Sequence, residues 1–215
     1  TMSMDIIADS DLRMDLDPHK SIEQYVKTLS FEQIAERIRK EKGFSMETTP
    51  LEPVTTSDRQ TFTYEDGKNA QDTSGVYLEF TLHFMAAKDM IVHLTSANSE
   101  SGAEDGTAVM SENNALPASM RISFTADGTT WIYDPGMESI STTEGSAKTF
   151  GLPGADAMNI NNDNAMFSLK EGVNKEVKVH IWMEGTDPAC TDELKGSDYS
   201  IRLRFTGDKT DEQNS

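Results

Sequence analysis

Basic charge is what this 215-residue chain lacks most: 19 Lys and Arg stand against 37 Asp and Glu, a formal net charge of −18. A nucleic-acid binder needs a positive field to offset phosphate, so that class is excluded. Cysteine is nearly absent as well. Cys190 alone can build neither an internal disulfide framework nor a zinc cluster. No apolar run reaches the roughly 18 residues of a spanning helix, so the chain is not expected to be membrane-spanning. Residues 1–30 hold no apolar h-region of a signal peptide. Catalytic signatures are missing too: there is no His-Glu-x-x-His, Gly-x-Ser-x-Gly, Walker loop or dinucleotide fingerprint. Carboxylates are plentiful, but no pair stands out, so neither an enzyme nor an organic cofactor is expected.

What the chain does have, from residue 76 onward, is a period of two. Leu78, Phe80, Leu82 and Phe84 alternate with Tyr77, Glu79, Thr81 and His83. The same alternation marks 90–94, 119–125, 177–183 and 199–205, with a shorter strand at 165–169. Asp127-Gly128 predicts a hairpin joining 119–125 to 129–133. Strands with one wet face, separated by Gly/Asn/Asp-rich loops, predict a mainly β protein. The expected domain is an antiparallel β-sandwich of jelly-roll or Ig-like type over 76–207, with a polar tail at 208–215.

The first 75 residues read differently. In 1–43, Leu12, Met14 and Leu16 alternate with charged residues as a short strand, and 19–42 reads as an amphipathic helix pair. Ser30 and Gln33 form a capping box, and Gly43 closes the helix. This helical zone is locally +2, which leaves the remainder at −20. Residues 44–75 form a loop-rich connection around the apolar piece Phe62–Tyr64.

Candidate sites are few. Trp131, Tyr133 and Trp182 on strands could stack a pyranose ring, as exposed aromatics do in glycan-binding modules, unless the second sheet, a loop or the N-terminal helix covers them, which is the favoured reading. Asp156, Asn161 and Asp163 offer hard oxygen donors for a loop calcium ion, although the EF-hand spacing fails. His83 and His93 face each other if the connection is a three-residue hairpin loop centred on Lys88, where they could hold a metal with Glu79 near; exposed strand histidines are the alternative. Cys190 reads as a small packing residue. The strand carrying Leu12, Met14 and Leu16 could add to the edge of a neighbour.

Several phrases together resemble a family. They are Leu116-Pro117 with Ser119–Phe124, Trp131-Ile132-Tyr133-Asp134-Pro135-Gly136, and His180-Ile181-Trp182-Met183-Glu184-Gly185-Thr186-Asp187-Pro188-Ala189-Cys190, ending in Ile201–Phe205. Over roughly 75–207 the chain resembles secreted, cell-surface β-sandwich proteins of Gram-positive bacteria, loosely the camelysin/TasA-like group. The resemblance implies an extracellular surface or matrix structural subunit, polymerised by strand exchange. Self-association or other surface proteins are the implied partners. A glycan-binding module or adhesin is the alternative. Acidity and abundant Thr, Ser, Asn and Gly lean the same way, to an extracellular location.

Overall fold

The computed structural model describes residues 2–95, 105–136, 143–144, 147–150 and 165–209. The strands in chain order are β1 (Ser3–Ala8), β2 (Leu12–Asp15), β3 (Thr28–Leu29), β4 (Pro53–Val54), β5 (Phe62–Thr63), β6 (Asn69–Ala70), β7 (Leu78–Ala86), β8 (Met90–Leu94) and β9 (Ala108–Met110). They continue with β10 (Met120–Ala126), β11 (Thr129–Tyr133), β12 (Thr143–Glu144), β13 (Ala147–Phe150), β14 (Ala165–Leu169), β15 (Lys175–Glu184) and β16 (Ser200–Lys209). Two helices interrupt them, α1 (Phe31–Lys42) and α2 (Ala115–Ser119). The protein is mainly β, with antiparallel-rich sheets.

One sheet has the order β14-β8-β16-β1-β3, with β9 alongside the first half of β16. The other has the order β12-β13-β11-β10-β15-β7-β2, with β4 parallel to the end of β15. Alternation in the sequence sends every second side chain of each strand to one face. From one sheet Met4, Ile6, Val92, Leu94, Leu203 and Phe205 meet Leu82, Phe84, Ile122, Phe124, Val179 and Ile181 from the other in a single core. Phe205 is its centre, with ring centroids 5.0 Å from Phe84 and 5.5 Å from Phe124. The β10–β11 hairpin turns at Asp127-Gly128, both at positive φ (52° and 79°), which is why a glycine follows the aspartate.

The structure departs from the sequence reading in three places. The 19–42 zone holds one α-helix, not two. Residues 22–24 make only a 3-10 turn, and Thr28–Leu29 is strand. Ser30 Oγ accepts from Gln33 N, Gln33 Oε1 accepts from Ser30 N, and Gly43 at φ 85° ends α1, burying Phe31, Ile34 and Ile38. Residues 87–89, around Lys88, are not a hairpin loop. β7 and β8 belong to different sheets, so His83 and His93 do not face each other. Alternation gives the face of a strand but not its neighbour. Finally, the strands of 1–43 sit inside the sheets formed by 76–207. Residues 26–29 tie the two sheets at one side: the Ala8 amide donates to Lys27 O at 2.8 Å, and Met14 and Val26 exchange bonds at 3.0 and 2.8 Å.

Candidate functional site

The seat of the N-terminal strand is the most distinctive local arrangement. β1 runs parallel to β16, in register from Ser3 opposite Ser200 to Ala8 opposite Phe205. Its odd–even pattern puts Met4, Ile6 and Ala8 in the core, at 0, 0 and 3% exposure. Both ends are fastened. Ser3 Oγ donates to Ser200 Oγ at 2.9 Å. Past the other end, the Asp9 carboxylate accepts from Arg204 Nε at 3.0 Å and from Thr206 Oγ1 at 2.9 Å. Arg204 is itself buried and donates onward to Asp105 O, so this ion pair is shielded from water and salt. Ser10 at φ 52° then turns the chain across to the other sheet.

There the candidate assembly residues are found. β2 pairs antiparallel with β7 of its own chain. Leu12 and Met14 are fully buried and Leu16 nearly so. In this arrangement the three side chains serve the chain's own core and present no face to a neighbour.

The outer face of β7, β15 and β10 carries a second arrangement. Phe62, brought by β5, lies over it with its ring 5.1 Å from Trp182 and 4.2 Å from Tyr77. Val54, Ala70 and Val76 complete this small apolar cluster. Asp58 shapes the covering loop by accepting from the Gln60 and Thr61 amides at 2.9 and 2.8 Å. Those bonds hold its carboxyl at about 2. At the margin of the cluster, His180 Nε2 meets Glu79 Oε2 at 2.7 Å, while Lys42 Nζ donates to Glu79 Oε1 and Asp72 Oδ2, both at 2.8 Å. The His180 bond, aided by Lys42 against the opposing effect of burial, holds the Glu79 carboxyl at about 2. Burial and the nearby carboxylates push the Tyr77 phenol up to about 12. Glu79 forms the floor of a shallow cleft of about 390 Å³ beside Tyr77 and Asp72.

The aromatic candidates need correction as a sugar platform. Trp131 and Tyr133 point inward to the core, at 9 and 4% exposure, and burial raises the Tyr133 phenol. Trp182 lies on the opposite face under Phe62, at 2%, and donates to Glu184 Oε1. None offers a ring face to a ligand. Asp156, Asn161 and Asp163 lie outside the described residues. Among the described residues no group of three His, Cys, Asp or Glu side chains could hold a metal ion. Cys190 is half-buried, and burial together with Asp187 pushes its thiol up.

Arg121 gives the Asp134-Pro135 and Asp187-Pro188 phrases a physical role. Its guanidinium reaches Asp134 Oδ1 at 3.3 Å and Asp187 Oδ2 at 2.5 Å, drawing together the corners that follow β11 and β15. Burial raises the Asp134 carboxyl. For Asp187 burial acts the same way, but bonds from Arg121 and the Ala189 amide prevail and lower it.

Neither the Asp9 clasp nor the His180–Glu79–Lys42 row was read from sequence. The partners are too far apart in the chain, and nothing in a lone Glu or Lys signals them. No described helix is long and apolar enough to cross a membrane. The chain matches no family model, no curated protein and no solved structure.

Proposed function

We propose that this protein is an extracellular structural subunit of a Gram-positive cell surface or biofilm matrix, which forms filaments by exchanging its N-terminal strand between copies. In this reading the two sheets are a β-sandwich of jelly-roll or Ig-like kind. The observation that carries it is the seat of β1: a strand docked parallel to β16 and joined to β2 by a short turn at Asp9–Asp11. Such a strand can leave its own sheet and enter the same slot of another copy, recovering every backbone bond and every core contact it gave up. The exchanged unit is β1 rather than the 12–16 stretch that alternation suggested. The resemblance of 75–207 to camelysin/TasA-like surface proteins points the same way.

A disulfide tests this directly. Ser3 and Ser200 are opposite each other, so Ser3→Cys with Ser200→Cys, in a Cys190→Ser background, joins β1 to whichever β16 it occupies. Protein oxidised after concentration should run as a ladder of covalent multimers on denaturing gels, with filaments in electron micrographs. A single cross-linked monomer band at every concentration, with no filaments, would overturn the reading.

A further inference from the structure

Three side chains lie on one rung across the centre of the larger sheet. Glu79 on β7 is paired with His180 on β15, and His180 with Ser123 on β10. His180 and Ser123 have no solvent exposure. On the Glu79 side His180 is satisfied through Nε2. His180 Nδ1 and Ser123 Oγ are both buried atoms with no hydrogen-bond partner.

The partner fixes one hydrogen: a carboxylate only accepts, so Nε2 carries it, and in the Nε2–H tautomer Nδ1 is a lone-pair acceptor. A serine hydroxyl donates and accepts. Opposed residues on adjacent strands have Cβ atoms about 4.5–5.5 Å apart. His180 Nδ1 and Ser123 Oγ belong to opposed residues of this kind and do not bond each other. Among the described residues no hydrogen bond reaches either atom. Phe62 lies over His180 with ring centroids 5.3 Å apart, and Ile132, packed against the same apolar cluster, is paired with Ser123 on its far side. Of the nearest charges, Lys42 is committed to Glu79 and Asp72, and Arg121, two residues from Ser123, to Asp134 and Asp187. Protein interiors rarely leave adjacent polar atoms unpaired, and a bound water is the common remedy.

We infer that this rung is a binding site for one buried water, which donates to His180 Nδ1 and bonds Ser123 Oγ. A continuous row then runs Ser123–water–His180–Glu79–Lys42–Asp72, from the middle of the sheet to the surface. It fixes the His180 tautomer, and the water exchanges only when the 44–77 covering lifts.

The test uses the wild-type chain, so no variant has to fold. A crystal structure fine enough to show ordered solvent should place one water within about 2.7–3.2 Å of both atoms. Long-range proton–nitrogen NMR should find His180 in the Nε2–H form, with a persistent water NOE to the Ser123 amide. A direct Ser123 Oγ to His180 Nδ1 bond with no water between would overturn the proposal. So would the Nδ1–H tautomer, or a dry rung.

Discussion

Glu79 is the side chain on which the outer face of the larger sheet depends most. It accepts from His180 and Lys42 at once and is only 17% exposed. Its carboxyl sits at about 2 in the folded chain against an ordinary 4.5. A depressed carboxyl stabilises the fold above its unfolded value, and that contribution disappears as pH falls from about 4.5 to about 2. Glu79→Gln should therefore lower stability by about 2–3 kcal/mol at neutral pH. The difference from wild type should shrink towards zero near pH 2, as read by urea midpoints along a pH series. A pH-independent difference would assign the loss to packing instead.

At the scale of elements, local chemistry and long-range partnership separate cleanly. The helix end is local: Ser30 satisfies the Gln33 amide and Gln33 returns the bond. Ser30→Ala should cost about 1 kcal/mol, visible as a lower thermal midpoint and faster amide exchange confined to the first turn of α1. Such signals were legible in the sequence, as were the alternation of β7, β15 and β16 and the turn at Asp127-Gly128. Which strands pair was not. Ser3 and Ser200 are neighbours through an encounter that no local pattern encodes. Equally, β7 and β8 alternate as a hairpin would, yet the chain crosses between sheets. The outer positions of β15 follow the same rule: His180 and Trp182 occupy a face that alternation marks as wet, and the distant Phe62, with the apolar residues clustered around it, covers it. The basic zone of α1 pairs within its own chain, through Arg37 to Asp17 and Lys42 to Glu79.

For the whole molecule, that internal pairing changes what the charge of −18 does. With much of the helix's basic charge already matched, two copies meet as like charges and repel. Self-association by strand exchange should thus accelerate as salt rises, because the Debye length falls from about 30 Å at 0.01 M to about 8 Å at 0.15 M. Light scattering across that range measures it. Slower assembly in higher salt would mean instead that an attraction between unlike patches drives contact.

The parallel pairing of β1 with β16 has a mechanical consequence. The chain enters at one end of this strand pair and leaves at the other, so tension on the two termini slides the strands along each other. All six registered pairs, Ser3–Ala8 with Ser200–Phe205, then bear the load together instead of parting one at a time. The Asp9–Arg204 clasp lies along the same line and must break in the same event. Optical-tweezer pulling from the termini should therefore give one high-force rupture, and pulling the β10–β11 hairpin apart from its open end a low-force one.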